Sequence, residues 1–275
     1  MDNKVNFLII VPTYNSYKNL EELVSSLKSQ IYKNWKVIFI DAPSNKNHKN
    51  WLKACAKSDS RFSVVEEIKD NKGIFPAMSY GVEFANNNEW IIFLGSDDWF
   101  SSNKSLITIK RKILFFQETT INPKLFIFGT QFLKEKSKRI IRYDSFPNIN
   151  FATNIELSKL IFFGYVPTHQ SLCFSSDLIK KIMPYSLNYL LAGDLDIIFK
   201  MLDIEKFDIA FIKDKLVNIQ SGGISSKLLF TRLKEVLIIY FEYYKYIFII
   251  PFFLRYFKKF LSRFIKTQLF SNFLK

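Results

Sequence analysis

Two adjacent carboxylates, Asp97 and Asp98, follow the apolar run Trp90–Leu94 after a Gly-Ser pair. Neighbouring negative charges at the end of a buried strand repel each other, so they are unfavourable unless a cation or hydrogen bonds compensate them. A hard divalent cation that carries phosphate groups would do so, because such ions prefer oxygen ligands and are often held by one or two carboxylates. The alternative is an ordinary strand-to-turn junction, where Asp is common.

Polar residues also follow three other apolar runs in the first hundred residues. Thr13 and Asn15 come after the first run, Asp41 after the second, and Lys72-Gly73 after the third. Asp41 alone would be typical of a turn, and Lys72-Gly73 lacks the spacing of a phosphate-binding P-loop. The repetition of polar residues at four strand ends favours a binding site over turn chemistry.

The elements that would position these residues alternate between two periods. Short continuous apolar runs predict strands covered on both faces, over residues 6–12, 35–40, 62–65 and 90–94. Between the runs, apolar residues recur with helical spacing, as at Leu20, Leu23, Val24 and Leu27. This β-α-β-α-β-α-β order predicts an α/β fold whose mostly parallel sheet is flanked by helices and binds ligands at the carboxyl ends of its strands.

Two polar segments interrupt the less regular part of the chain that follows, residues 101–226. One is Pro167–Ser171, which contains His169, and the other is Ala192–Asp196, which opens a helix. His169 is either a structural residue or a contact for a diphosphate, a metal or an acceptor. The only other histidine, His48, is expected at the surface.

A series of motifs runs in order through the chain: Val11–Asn15, Leu20–Leu23 with Ser29-Gln30, Val37–Asp41, Asn71–Phe75 with Ala77-Met78, Phe93–Phe100, His169–Ser171, Gly193–Asp196 and Ser221–Ser225. Together these motifs resemble the family 2 glycosyltransferases with a GT-A fold, a Rossmann-like arrangement. The last three resemble the acceptor half of the enzymes that make capsule, O-antigen and exopolysaccharide. The resemblance covers about residues 5–226, and the ordered series is more specific than any one motif.

The resemblance implies transfer of a sugar from a nucleotide-diphosphate donor, such as a UDP-sugar, with inversion at the anomeric carbon. It implies that Thr13 and Asn15 line the nucleotide pocket, that Asp41 contacts the nucleobase, and that Lys72 and Gly73 lie near the base and ribose. The chain departs from the family where Ala42–Asn45 follows Asp41, and at Pro76 and Ser79. Because of these departures, the identity of the donor stays open. The protein could also be an inactive relative of the family.

The same resemblance assigns the reacting groups. Asp97 would contact the ribose or the donor sugar, and Asp98 would bind Mg²⁺ or Mn²⁺ bridging the diphosphate. Asp194 matches the general base that takes the proton of the acceptor hydroxyl, a role that suits a carboxylate within hydrogen-bond reach. Asp196 is two residues away, and one of the two could instead cap the helix. His169 would be a further contact of the bound donor or acceptor.

The net charge of +14 points to an anionic partner. The distribution of the basic residues along the chain indicates which kind of anionic partner to expect. Residues 227–275 hold ten basic and two acidic side chains. Within them, the pattern over residues 252–266 predicts a basic amphipathic helix with Arg255, Lys258 and Lys259 on one side and phenylalanines on the other. Such a helix lies on an anionic membrane surface, or else packs on protein. The absence of a nucleic-acid motif argues against a nucleic-acid partner.

These observations predict a catalytic domain over residues 1–226, with a nucleotide-sugar half (1–100) and an acceptor half (101–226), and a helical membrane-association segment over 227–275. The predicted activity is hexosyltransferase-like transfer to a glycan or a polyprenyl-diphosphate-linked acceptor in surface polysaccharide synthesis. The chain lacks a recognisable signal peptide, which favours the cytoplasm and the inner face of the cell membrane. The alternative is an inactive nucleotide-sugar-binding or scaffolding subunit at the membrane.

Overall fold

The computed structural model describes residues 4–67, 73–135, 137–143, 147–222, 228–258 and 260. Its first part alternates strands and helices as the sequence predicts. These elements are β1 (Asn6–Thr13), α1 (Leu20–Lys28), β2 (Trp35–Asp41), α2 (Lys46–Ser58), β3 (Phe62–Glu66), α3 (Ile74–Val82) and β4 (Glu89–Phe93).

The remaining elements are mixed in direction and less regular in length. They are β5 (Asp98–Phe100), α4 (Ser105–Gln117), β6 (Pro123–Leu133), β7 (Ile140–Tyr143), β8 (Phe151–Thr153), α5 (Asn154–Phe162), β9 (Leu172–Ser175), α6 (Ser176–Ile182), α7 (Gly193–Leu202), β10 (Asp208–Gln220) and α8 (Leu229–Tyr244). A single 3₁₀ turn, His169–Ser171, immediately precedes β9.

All of these strands belong to one sheet, whose main order is β3-β2-β1-β4-β9-β6-β10-β5. Strands β3, β2, β1 and β4 are parallel, and β9 is antiparallel to both β4 and β6. The short strand β9 therefore joins the two predicted halves, so that one continuous sheet runs through residues 6–220. The predicted α/β fold with a sheet flanked by helices is confirmed. The sheet as a whole is mixed rather than mostly parallel, because β5, β7, β8 and β9 all pair antiparallel with their neighbours.

Helices cover both faces of the sheet at its centre, which explains why β1 is almost continuously apolar. In β1, Leu8 and Ile10 point to a core shared with α3, α5, α6, α7 and α8, whereas Phe7, Ile9 and Val11 point to a core shared with α1, α2 and α4. Successive side chains of a strand face opposite sides, so a strand covered on both faces has no polar positions.

Helix α8 packs on the α/β fold along one face. Val236, Ile239 and Tyr240 are buried there, and Tyr240 contacts the Phe199 ring of α7 edge-on. Residues 249–258 form a further helix. This second helix packs against Gly164, which follows α5. A Cβ atom at Gly164 would lie only 2.9 Å from Cα of Arg255 in that helix. The described part of the predicted membrane-association segment is therefore attached to protein on one side.

Arg255 differs from its expected place on an outer basic face. It is 6% exposed, and its guanidinium lies over the Tyr240 ring, 5.8 Å from the centroid. An arginine can be buried in this way because its aliphatic stem is apolar and its planar head stacks on aromatic rings. Residues 261–275, the rest of the predicted amphipathic helix, lie outside the described residues. Among the helices that are described, none combines the length and the apolar character needed to cross a membrane.

Candidate functional site

The parallel pairing of β1 and β2 places Thr13 opposite Asp41 at the carboxyl ends of both strands. The Thr13 hydroxyl donates a hydrogen bond to Oδ1 of Asp41 at 3.1 Å, and the Ser44 hydroxyl donates to the same atom at 2.7 Å. Asp41 is buried, at 3% exposed. These contacts fix the carboxylate that the sequence assigns to the nucleobase.

His48 is buried on α2, so the expectation that it lies at the surface is wrong. Its Nε2 atom lies 3.0 Å from Oδ1 of Asp41. Burial lowers the pKa of His48, while the Asp41 carboxylate acts in the opposite direction. A neutral imidazole that donates from Nε2 would complete the set of donors around Asp41. The sequence offers no signal for this pairing, because a lone histidine in a polar helix is typical of the surface.

Asn15 lies in the loop after β1 and has a positive φ of 49°, a conformation that asparagine tolerates better than most residues. Its side-chain oxygen accepts a hydrogen bond from the Asn45 backbone at 2.8 Å, and its own N–H donates to the Ser44 hydroxyl at 3.1 Å. Asn15 therefore holds the loop after β1 against the loop after β2. Its exposed position leaves it accessible to a ligand at this edge.

Gly73 precedes α3 and has a φ of 128°, which favours glycine. Its N–H donates to a side-chain oxygen of Glu67 at 3.0 Å. This bond links the end of β3 to the start of α3. Lys72, the other residue predicted near the base and ribose, lies outside the described residues.

Asp97 and Asp98 lie together at the carboxyl end of β4. Oδ2 of Asp98 accepts a hydrogen bond from the Gly95 N–H at 2.9 Å, and the Gln170 side chain and the Gln220 backbone also bond to this carboxylate. A Cβ atom at Gly95 would lie 2.8 Å from Oδ2 of Asp98 and 3.0 Å from Oδ1 of Asp97. Glycine at position 95 is therefore what allows the two carboxylates to fold back over the strand end.

The environment of this pair opposes two negative charges. Burial raises the pKa of Asp98 to about 8, and the neighbouring Asp97 adds to the increase. Burial also raises the pKa of Asp97, with a contribution from Glu135. Two carboxyl groups that resist ionisation together form a site where a bound cation would be stabilised strongly.

The donor set fits a divalent cation held jointly by protein and substrate. No group of three or more His, Cys, Asp or Glu side chains able to hold a metal occurs within the described ranges. Among the described residues, the site offers the adjacent carboxylates of Asp97 and Asp98 as oxygen ligands. Mg²⁺ and similar ions are commonly bound by one or two carboxylates together with the phosphates of a nucleotide, so this small set is chemically suitable.

Asp194 lies in the first turn of α7, next to Gly193. A Cβ atom at Gly193 would come within 2.5 Å of the Phe75 ring, so the start of α7 packs directly against the start of α3. The Asp194 carboxylate is close enough to Tyr185 to contribute, after burial, to the raised pKa of that residue. Asp194 is partly exposed, so its carboxylate is accessible.

His169 is buried, at 3% exposed, and its Nε2 atom is 2.5 Å from the Tyr185 hydroxyl. The rings of Phe93 and Phe174 pack against it. Burial lowers the pKa of His169 to about 4, although Asp194 acts in the opposite direction. A neutral, enclosed imidazole favours a structural role for His169 over a role as a ligand contact. Its assignment as a ligand contact stays a prediction.

Asp196, the other candidate base, has a different environment. Its carboxylate pairs with Lys200 one turn further along α7, with 3.0 Å between Nζ and Oδ2. This ion pair occupies one oxygen of the Asp196 carboxylate, so Asp196 is less free than Asp194 to approach an acceptor hydroxyl. The contacts therefore favour Asp194 over Asp196.

Gln170, Ser44 and Glu135 take part in the site although the sequence assigns them no role. His169 contacts the Tyr185–Asp194 region, and the next residue, Gln170, bonds to Asp98, so two consecutive residues connect the candidate base with the paired carboxylates. Gln170 belongs to a motif that was recognised, but an amide side chain has many possible roles. Ser44 and Glu135 also act on Asp41 and Asp97, and no periodicity in the sequence reveals these contacts across loops.

Comparison with known proteins shows which family the first part of this arrangement is similar to. Residues 8–113 match the family model described as glycosyl transferase family 2. This part of the chain is thus similar to glycosyl transferase family 2. The matched region spans β1 to α4 and includes Thr13, Asp41 and the Asp97-Asp98 pair.

Curated relatives of this chain are named as glycosyltransferases of two different biosynthetic pathways. The chain is 24% identical over 190 residues to a PGL/p-HBAD biosynthesis glycosyltransferase of Mycobacterium tuberculosis, an alignment that covers 69% of this chain and 67% of the relative. It is 28% identical over 110 residues to the putative teichuronic acid biosynthesis glycosyltransferase TuaG of Bacillus subtilis, covering 40% of this chain and 41% of TuaG.

Solved structures share the GT-A fold. S. aureus TarS 1-349 in complex with UDP-GlcNAc superimposes with a TM-score of 0.61 at 16% identity, covering 86% of this chain and 67% of that one. The mannosyltransferase PcManGT from Pyrobaculum calidifontis, in complex with GDP-Man and Mn²⁺, gives 0.59 at 13% identity, covering 88% and 65%. At these identities the likeness establishes the fold.

Proposed function

We propose that this protein is a metal-dependent, inverting family 2 glycosyltransferase. It transfers a sugar from a nucleoside-diphosphate sugar to a hydroxyl of a glycan or lipid-linked acceptor. A UDP-sugar is the first candidate for the donor. The observation that carries the proposal is the link between Asp194 and Asp98. His169 and Gln170, consecutive in the chain, contact the surroundings of one and the carboxylate of the other. A base and a diphosphate site must be adjacent in this way for direct transfer.

The donor would lie along the carboxyl ends of β1, β2 and β4. In this proposal Thr13, Asn15 and Asp41 receive the nucleotide, Gly73 lies near the base and ribose, and Asp97 contacts the ribose or donor sugar. The complex of TarS with UDP-GlcNAc supports a UDP-sugar, because the two chains share this fold. The departures from the family after Asp41 keep other nucleotides as outcomes of the test.

Asp98, with Asp97 beside it, would hold Mg²⁺ or Mn²⁺. When bound, the ion neutralises charge on the diphosphate leaving group. The Mn²⁺ in the complex of PcManGT with GDP-Man supports this assignment. The buried carboxylate of Asp98 receives hydrogen bonds from Gly95 and Gln170, which hold it in one orientation before a cation arrives.

Asp194 would act as the general base. As the acceptor oxygen forms its bond to the anomeric carbon, its proton passes to the Asp194 carboxylate, and the bond between that carbon and the diphosphate oxygen breaks with the electron pair. One displacement inverts the anomeric configuration. The partial exposure of Asp194 supports access by an acceptor, and the pairing of Asp196 with Lys200 leaves Asp194 as the better candidate.

The acceptor is proposed to be a growing surface polysaccharide or its lipid-linked precursor, and the relation to TuaG supports this class. The outer face of α8 and the helix after it supports peripheral attachment to an anionic membrane. Phe230, Tyr246 and Phe253 are 87%, 95% and 63% exposed, and Lys234, Lys245 and Lys258 are exposed beside them. Aromatic side chains with flanking lysines suit the interface of an anionic bilayer.

A transfer assay with a panel of UDP- and GDP-sugars and Mn²⁺ tests the proposed chemistry. We expect the Asp194→Asn variant to bind UDP normally while transfer falls at least about 10²-fold, the lower end of a general base's contribution. The matched Asp196→Asn variant should retain most activity. Proton NMR of the product should show an inverted anomeric linkage. Retained configuration, or normal transfer by Asp194→Asn, would rule out this mechanism.

Liposome flotation tests the membrane attachment. Wild-type protein should float with vesicles that contain phosphatidylglycerol, and less so with neutral vesicles or at high salt, because the lysines contribute an electrostatic share. A Phe253→Ser variant should float less. Phe115→Ser is the matched control, since Phe115 is 58% exposed on the distant helix α4. Equal flotation of both variants would argue against this face.

A further inference from the structure

We propose that Glu235 is a positioning residue that fixes the start of α7 and therefore the direction of the Asp194 carboxylate. Glu235 belongs to α8, in the segment that the sequence assigns to membrane association. The inference rests on the proposed role of Asp194 as the base. Glu235 lies 41 positions away from Asp194 in the chain. Its hydrogen bonds go to backbone amides and not to the side chains predicted to bind ligand.

Glu235 binds three consecutive backbone amides. One carboxylate oxygen accepts from the Leu190 N–H at 3.0 Å, and the other accepts from Leu191 and Ala192, both at 2.8 Å. Glu235 itself is only 8% exposed. A carboxylate is suited to this task because both of its oxygens are acceptors and its charge shortens and strengthens bonds to N–H groups.

The amides that Glu235 binds lead directly into α7. Ala192 occupies the N-cap position of α7 and has no side chain able to cap it. Its carbonyl accepts the first backbone bonds of the helix, from Leu195 and Asp196. The place of Ala192 therefore determines where the first turn begins, and Glu235 holds Ala192. On the opposite side, the close contact between Gly193 and Phe75 limits movement of the same turn.

Packing alone does not account for a glutamate at this position. Val236, Ile239 and Tyr240 of α8 are buried against the fold and supply its apolar contacts. A buried carboxylate is unfavourable unless donors compensate it, and an apolar residue of similar volume would avoid that penalty. The three amides supply the compensation, and all three belong to the segment that delivers Asp194. We therefore assign the charge to positioning of the base.

The test compares Glu235→Gln with Glu242→Gln. Glu242 lies on the same helix and accepts a hydrogen bond from the Tyr189 hydroxyl at 2.6 Å, so it contacts the same loop without binding the amides before α7. We expect Glu235→Gln to lower kcat for transfer at least about tenfold, because small displacements of a reacting group have large effects, with unchanged affinity for UDP. Glu242→Gln should stay within about twofold of wild type.

A double-mutant cycle separates positioning from a general loss of stability. If Glu235 acts through Asp194, adding Glu235→Gln to the Asp194→Asn variant should reduce transfer by less than about twofold, because the interaction has already been lost. An equal loss in both backgrounds, or a normal kcat for Glu235→Gln, would overturn the proposal. If Glu235→Gln does not fold, Glu235→Asp retains the charge with a shorter reach and replaces it.

Hydrogen exchange provides a readout that does not need activity. The amides of residues 190–192 should exchange slowly in wild type and faster in Glu235→Gln, with no change in Glu242→Gln. Unchanged exchange in Glu235→Gln would overturn the positioning role. Faster exchange combined with a fully active Asp194→Asn variant would instead overturn the base assignment of the proposed function, and the two failures are thus distinguishable.

Discussion

Nε2 of His48 lies 3.0 Å from Oδ1 of Asp41, and the two side chains are 0% and 3% exposed. We predict that His48→Leu weakens UDP binding by about tenfold, equivalent to 1.4 kcal/mol, because Asp41, which we propose contacts the nucleobase, would lose a polar neighbour that holds its carboxylate in place. His48→Gln, which keeps an N–H donor, should retain most of the affinity. Calorimetry with thermal unfolding as a check on folding measures this, and a folded Leu variant with normal affinity would refute it.

Replacing Gly193 should displace Asp194, the proposed general base, without changing the donor site. In Gly193→Ala the new Cβ would meet the Phe75 ring at about 2.5 Å, and neither the ring nor the helix can move freely in a packed interior. Transfer should fall at least about tenfold while UDP affinity stays normal. The double variant Gly193→Ala with Phe75→Leu should recover part of the activity, and no recovery would mean that another contact is responsible.

The carboxylate of Asp98 should account for metal-dependent nucleotide binding. Wild type is expected to bind UDP at least about tenfold more tightly with Mn²⁺ than without it, whereas Asp98→Asn should lose this difference because the amide lacks the charge. Asp177→Asn, an exposed change on α6, is the control. Calorimetry in both conditions decides, and a metal effect that survives in Asp98→Asn would assign the ion elsewhere.

His169 should make the protein less stable in mild acid. Its pKa is lowered to about 4 in the folded state by burial, so between pH 6.5 and pH 4 the unfolded chain takes up a proton that the folded chain does not. Stability from this group is therefore complete above pH 6.5 and falls as the pH decreases, by about 2 kcal/mol at pH 5. Urea unfolding at pH 7 and pH 5 should show a smaller loss for His169→Gln, and equal losses would contradict the shift.

Truncation should show that α8 belongs to the fold. A chain that ends at residue 228 lacks Val236, Ile239 and Tyr240, whose burial contributes about 1.5–3 kcal/mol each. We expect it to unfold at least about 10 °C lower or to aggregate, whereas a chain that ends at residue 260 should unfold near wild type. Thermal unfolding of both proteins measures this. A stable, UDP-binding 1–228 protein would instead support the predicted division of the chain at residue 226.

The sequence predicts the N-terminal half well because its signals are local. A strand covered on both faces is a continuous apolar run, and an amphipathic helix repeats every three to four residues, so β1 to β4 and the helices between them are readable. The carboxyl ends of such strands are also predictable, which places Thr13, Asp41, Asp97 and Asp98 at one edge. The four-residue strand β9 has no such signal, because its length is too short to establish a period.

The rest of the site depends on contacts between distant parts of the chain. Glu235 reads as one of two acidic residues in a basic segment, and its three partners lie 43 to 45 positions earlier. Arg255 reads as part of a basic face, yet it is buried over an aromatic ring. Helical periodicity identifies the faces of a helix, but it does not say which face meets protein and which meets solvent.

The central place of β9 has a consequence for synthesis. The antiparallel partner of Trp90, Ile91 and Ile92 in β4 is β9, which is translated roughly 80 residues later. At a translation rate of about 5–20 residues per second, an apolar edge of the nascent sheet would wait for its neighbour for about 4–16 s. Unpaired edges are sites of aggregation, so this interval is when the growing chain most needs protection. A fragment cut before Leu172 would keep that edge open permanently.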